Sequence, residues 1–277
     1  GGSGIYEALE LENAYEEHIG TPFGSPSSPI TVGELGGQEV AFLARHGLSH
    51  QYSPTEVPYR ANIYALKDLG VDRILSTNAV GSLREDLPPQ TLVIPEQIFD
   101  RTRHRPYSFF EEGMVVHMGF AEPYCPHLSA HLAESTEEVV EEAHEGGTYV
   151  CIEGPQFSTR AESEFYRSQG WDVVGMTAIP EAKLAREAEC CYATIAGVTD
   201  YDVWKTDSEV TLEEVLENAA VNEDRINATV ERAIRTMPED RECECAHALE
   251  GTINTESEAI PDEMKERVEL FVGDYLD

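Results

Sequence analysis

Apolar positions along the chain fall into two rhythms. Short runs rich in β-branched residues, at 39–44, 73–78, 92–99, 149–153, 173–176 and 193–199, have the length and composition of buried strands. The longer amphipathic stretches between them, over 60–69, 129–145, 160–169, 179–188 and 212–235, predict helices. Alternation of this kind predicts an α/β fold, a single domain over 1–237 with a central mixed β-sheet flanked by helices. Two helices have legible starts. Thr159-Arg160-Ala161-Glu162 and Thr211-Leu212-Glu213-Glu214 both have the spacing of a capping box. Helix starts offer unpaired N–H groups to a ligand.

Beyond Pro238 the pattern changes to an acidic segment holding Cys243-Glu244-Cys245, then a polar linker near 251–258. An amphipathic helix is predicted from Pro261, with Met264, Val268 and Phe271 on one face. We read 238–277 as an extension that packs on the core or on a neighbouring copy. At the other end the chain opens on Gly1-Gly2-Ser3-Gly4. A glycine turn of this type ordinarily follows a strand, so further chain is expected upstream.

Charge narrows the function. The 277 residues include 53 acidic and 19 basic side chains, a net charge of −34. Such a surface repels nucleic acid and anionic membrane, and neither is expected as a partner. The acids are spread along the chain and not gathered in a tail, as expected of a surface adapted to concentrated salt. No run reaches the roughly 18 to 20 apolar residues that cross a bilayer, and no signal peptide is legible, so a cytoplasmic location is expected. The six cysteines lack paired C-x-x-C elements and are too sparse for a secreted disulfide scaffold. They read as small buried apolar residues, and no metal site is expected.

Six stretches can carry chemistry, and each also has a plainer reading. Gly1-Gly2-Ser3-Gly4 lets the backbone approach an anion, with Ser3 adding a hydroxyl, or is simply a loose terminus. Leu43-Ala44-Arg45-His46-Gly47 ends a strand in a guanidinium and an imidazole suited to phosphate, or in a surface pair. Asn78 and Ala79, in the small-residue stretch from Leu75 to Leu83, close a strand in a turn open to a ligand, or in an ordinary loop. Glu153-Gly154-Pro155-Gln156-Phe157-Ser158 presents Phe157 for stacking on a flat heterocycle, unless Phe157 is core. Met176 and Thr177 could meet a sugar face and a phosphate, though a methionine at a strand end is commonly core.

The sharpest stretch is Thr199-Asp200-Tyr201-Asp202, two carboxylates two positions apart at a strand end. If the segment stays extended, both face one ligand. Close carboxylates also raise one another's proton affinity, which helps one to act as a donor.

In this order and spacing the stretches resemble the purine nucleoside phosphorylase family, most closely its methylthioadenosine phosphorylase branch, from Gly1 to about residue 237. The resemblance implies a phosphorylase-like fold and a phosphate site made from Ser3, Arg45, His46, Asn78, Ala79 and Thr177, with Met176 against the ribose. It implies a base site at Phe157, Asp200, Tyr201 and Asp202, with Asp200 as the acid that protonates the departing purine. Relatives acting on 6-oxopurines carry Asn where Asp200 stands and Glu where Ser158 stands, so this pair favours adenine. Leu212, Val215 and Leu216 offer an apolar face for a methylthio group, or are only core. The resemblance further implies a homotrimer, with a dimer of trimers as the alternative, and His117 reaching a neighbour's pocket. Inorganic phosphate is the implied co-substrate, with no organic cofactor and no metal. The Cys243-Glu244-Cys245 segment resembles a C-x-C of some archaeal relatives in which a disulfide can form. Three rival readings remain at this point: a 6-oxopurine or methylthioinosine phosphorylase, a hydrolytic nucleosidase, and a non-catalytic nucleoside-binding protein.

Overall fold

The computed structural model describes residues 1, 11–141, 143–205 and 211–276, apart from the side chains of Leu212 and Glu214. The strands are β1 (Glu12–Glu17), β2 (Ile30–Leu35), β3 (Gln38–Leu43), β4 (Arg73–Ser82), β5 (Leu92–Ile94), β6 (Gln97–Arg101), β7 (Ala143–Glu145), β8 (Thr148–Ile152), β9 (Val173–Gly175) and β10 (Cys191–Asp200). The α-helices are α1 (Tyr59–Asp68), α2 (Pro126–Glu137), α3 (Arg160–Ser168), α4 (Ala178–Glu187), α5 (Leu212–Arg235) and α6 (Asp262–Val272).

Seven strands form a mixed sheet in the order β6-β8-β9-β4-β10-β5-β7. At its centre β4 and β10 pair in parallel, and every residue of β10 is buried. That double burial is why its sequence reads as a continuous apolar run. The strands β5 and β6 are separated by only Pro95 and Glu96, yet they sit at opposite sides of the strand order. The sheet therefore rolls until its edges meet, and there Gly147 O accepts the N–H groups of both Glu96 and Gln97 at 3.1 Å. The expected strand 92–99 is thus two strands. Pro95, which cannot donate to a ladder, marks the break.

Two further expectations change. The first predicted strand is β3, but it belongs to a separate antiparallel sheet, β1-β2-β3, and not to the central one. The helix predicted over 129–145 stops at Glu137, and Ala143–Glu145 returns to the sheet as β7, paired with β5. Helix α3 begins as expected, with Thr159 and Glu162 forming a full capping box, worth about 1 kcal/mol. The second predicted box includes Glu214, whose side chain lies outside the described residues.

The extension does not stand apart. Met264, Val268 and Phe271 of α6 are buried in the same core as Phe109, Tyr192 and Val198. Phe271 stacks against Phe109 at 4.4 Å and meets Tyr64 edge-on at 5.4 Å. Each such side chain contributes roughly 1.5–3 kcal/mol of burial. Among the described residues no helix is long and apolar enough to cross a membrane.

Candidate active site

A cavity of about 530 Å³ opens where the ends of β3, β4, β9 and β10 meet the starts of α3 and α4. Of the residues singled out by sequence, Arg45, His46, Asn78, Ala79, Met176 and Thr177 line it at one end. Phe157, Ser158, Asp200, Asp202, Val215 and Leu216 line the rest. The core reading fails for two of these, since Phe157 is 50% exposed and Leu216 59% exposed.

At the cationic end the chemistry differs from a simple donor set. Arg45 is buried, and Nε and Nη2 meet both oxygens of Glu181 at 2.6 and 3.0 Å. Its Nη2 also reaches Ser76 Oγ at 2.5 Å, and Nη1 donates to Thr77 O at 3.1 Å. Four of the five guanidinium N–H groups are therefore used, leaving one for a ligand. The Glu181 carboxylate holds the guanidinium proton more tightly than usual against the cost of burial, and Glu181 in turn is held below its ordinary range by Arg45. His46 Nδ1 lies 2.9 Å from Tyr52 O. A carbonyl only accepts, so Nδ1 carries the proton. Burial and the neighbouring Arg45 lower the imidazole to about 4. At neutral pH Nε2 is therefore an acceptor, not the extra donor expected from sequence. Thr177 likewise donates its hydroxyl to Asn78 Oδ1 at 2.6 Å. The expected Thr177 hydroxyl donor to phosphate is committed elsewhere. What this end offers an anion is one Arg45 N–H and the Asn78 amide.

At the acidic end the two carboxylates converge by a bulge and a turn, not by extended spacing. The β4–β10 register runs Val198 to Val80 and then Asp200 to Gly81, so Thr199 is an extra residue. Such a bulge re-aims the side chain that follows it. Asp202 sits beyond the strand in a 3-10 turn at φ 51°. Its backbone N–H donates to Asp200 Oδ1 at 2.7 Å, and Thr199 Oγ1 lies 2.7 Å from Asp200 Oδ2. Gly81 makes room for both acids, since a Cβ there would lie 3.0 Å from Asp200 Oδ1 and 3.3 Å from Asp202 Cβ. Burial, reinforced by the neighbouring Asp200 and opposed by the Ser163 hydroxyl, raises the Asp202 carboxyl above its ordinary range. Beside the acids the Ser158 hydroxyl is buried without a protein partner.

Some expected residues lie elsewhere. Tyr201 does not line the cavity; its hydroxyl reaches Glu85 O at 3.4 Å and its ring carries Lys205 Nζ at 3.6 Å. It points away because the chain leaves the strand at Asp200. His117 is exposed and away from this chain's cavity, with its N–H bonded to Thr252 O at 2.9 Å. Ser3 and the Leu212 side chain lie outside the described residues, although Gly1 O accepts Arg45 N–H at 3.1 Å.

Sequence reading missed Glu181 and Arg105. Arg105, in no motif, is buried and joins three segments around the cavity. It donates to Met176 O, Ile179 O and Glu153 O, each at 2.6 Å. The cysteines are mostly buried, as expected, but four of them are also gathered in one place, which the sequence did not show. Cys125, Cys191, Cys243 and Cys245 come together outside the cavity, with all four sulfurs within 4.8 Å of one another. Local motif spacing cannot show a cluster assembled from three distant segments.

The protein is thus an α/β protein whose rolled sheet ends in one cavity, with a buried cation at one end and two buried carboxylates at the other. The chain belongs to the phosphorylase superfamily, whose sequence model matches residues 1–235. An S-methyl-5'-thioadenosine phosphorylase of Koribacter versatilis (strain Ellin345) is 48% identical over 277 residues, 100% of this chain and 95% of its own. One from Pyrococcus furiosus is 48% identical over 249 residues, 90% of this chain and 95% of its own. A crystal structure of methylthioadenosine phosphorylase sourced from an antarctic soil metagenomic library shares 45% identity and a TM-score of 0.93, covering 98% of this chain and 96% of that one. Methylthioadenosine phosphorylase from Schistosoma mansoni in complex with adenine gives 0.84 at 35% identity, covering 89% and 93%.

Proposed function

We propose that this chain is a pentosyltransferase that cleaves S-methyl-5'-thioadenosine with inorganic phosphate, giving adenine and 5-methylthioribose 1-phosphate. One observation carries the reading: Arg45 and Asp200 wall the same cavity. Its volume of about 530 Å³ is in the range of small-ligand sites.

In this reading phosphate sits against Arg45 and Asn78. His46 Nε2 accepts the hydrogen of a protonated phosphate oxygen and so turns the anionic oxygens toward the sugar. The anion stabilises a ribosyl cation and attacks the anomeric carbon with inversion, forming a C–O bond as the glycosidic C–N bond breaks. The electron pair of that bond leaves with the purine, and a proton from the Asp200–Asp202 pair reaches N7. The Thr199 hydroxyl has a single hydrogen and two acceptors, Val80 O at 3.2 Å and Asp200 Oδ2 at 2.7 Å. Turned to Val80, it leaves its oxygen to accept from a protonated Asp200. Phe157 stacks on the base, Met176 packs on the ribose, and Val215 and Leu216 face the methylthio group. The active assembly is a homotrimer, or a pair of trimers, in which His117 reaches the neighbour's cavity. A cytoplasmic location and adaptation to high salt complete the proposal.

The test is an assay of S-methyl-5'-thioadenosine cleavage with and without phosphate. Adenine release should require phosphate, and inosine should be a poor substrate. Asp200→Ala should lower kcat by about 10²- to 10⁴-fold while the protein remains folded at the assay temperature. Phosphate-independent cleavage, or a near-normal rate in the variant, would overturn the reading.

A further inference from the structure

The four-cysteine cluster lies outside the cavity and takes no part in the chemistry above. Its sulfurs come from three regions of the chain. Cys125 caps α2, its sulfur accepting Leu128 N–H at 3.5 Å. Cys191 opens β10, and the Cys125 N–H donates to Tyr192 O at 2.8 Å, which fixes these two segments together. Cys243 and Cys245 arrive with the extension, and Cys243 Sγ lies 3.2 Å from Cys191 Sγ. We propose that Cys125, Cys191, Cys243 and Cys245 form a tetrahedral thiolate site for one zinc(II) ion, which ties the C-terminal extension to the phosphorylase core.

Geometry, chemistry and charge support the site. Zinc–sulfur bonds of about 2.3 Å place the sulfurs of a tetrahedron about 3.8 Å apart. The observed spacings, from 3.2 Å to no more than 4.8 Å, bracket that value. Four sulfurs with no carboxylate or imidazole among them select a thiophilic, tetrahedral cation over magnesium or calcium. Cys125, Cys191 and Cys245 are buried in an apolar cluster with Leu128, Leu132 and Ile94, which keeps water from competing as a ligand. Binding of the cation releases the thiol protons to water. Four thiolates around zinc leave two negative charges. Leu128 N–H and the positive charge of Arg186, which acts on Cys245, offset part of them.

The experiment uses the full chain purified under thiol reductant, with elemental analysis and cobalt(II) substitution. One zinc per chain is expected, reported by a mercurial reagent as released metal. Cobalt should give the strong thiolate-to-metal charge-transfer band and the d–d bands of a tetrahedral site. Cys243→Ser/Cys245→Ser should lose both the metal and the bands. Removing the metal should lower the melting temperature while leaving kcat at moderate temperature unchanged. Because the cobalt spectrum is read on the unsubstituted chain, it does not depend on the variant folding. Reduced protein without zinc and without a cobalt charge-transfer band overturns the proposal, as does mass spectrometry showing the four cysteines as two disulfides together with no band after reduction.

Discussion

The imidazole of His46 has its proton on the side facing Tyr52 O, and the residue lines the cavity. Its folded value of about 4 lies below the ordinary 6.5. The sign follows from linkage: between these values the unfolded chain binds a proton that the native site refuses. The neutral ring therefore contributes its full stability above pH 6.5 and loses it as the pH falls toward 4. Nitrogen-detected NMR should show His46 neutral, with hydrogen on Nδ1, until the midpoint near about 4. The phosphate KM should rise only below that midpoint. A midpoint near the ordinary value would remove the acceptor role. At this scale the sequence singled out side chains that the structure gathers around one cavity, but not how each is paired. Arg45 and Glu181 are 136 positions apart, and no local pattern encodes their pairing. Asp200 and Asp202 were legible as a pair, but the positive φ of Asp202 was not, because a non-glycine residue there leaves no mark in the sequence.

Among the elements, the segments that frame the cavity are tied together by a buried cation in addition to the sheet ladder. Arg105 gathers the ends of β8 and β9 and the start of α4 through three carbonyls. Replacing it with leucine strips Met176 O of this partner and leaves Glu153 O and Ile179 O with only long bonds from Thr55 Oγ1 at 3.4 Å and Cys151 Sγ at 3.9 Å, a loss of about 1–3 kcal/mol for each strong bond removed. Arg105→Leu should therefore lower unfolding free energy by about 3 kcal/mol or more and raise the nucleoside KM before it changes kcat. An equal loss in kcat with an unchanged KM would point instead to direct contact with the reacting atoms. Strands buried on both faces, such as β10, were readable because continuous apolar runs have few other fates. The misread elements lacked that signal. Strand β1, with three glutamates among six mostly exposed residues, has no apolar face to betray it. Strand β7 spans three residues at a sheet edge, too few for a period to show.

Taken whole, the molecule carries 53 acids against 19 bases, and the buried Arg45 and Arg105 add nothing to the surface balance. Self-repulsion on this scale falls as the screening length shortens from about 10 Å at 0.1 M salt to about 3 Å at 1 M. The melting temperature, followed by scanning fluorimetry, should rise steadily with potassium chloride over that range. A flat profile would overturn the reading of a surface adapted to concentrated salt.

The placement of α6 has a consequence for how the chain matures in a cell. Phe271 packs against both Phe109 and Tyr64, so one wall of the main core is supplied by residues that follow the rest of that core in the order of synthesis. While those residues are still inside the ribosome, the nascent chain presents an open aromatic socket. Completion of the fold must wait until α6 has emerged, and holdase chaperones have their opening in that interval.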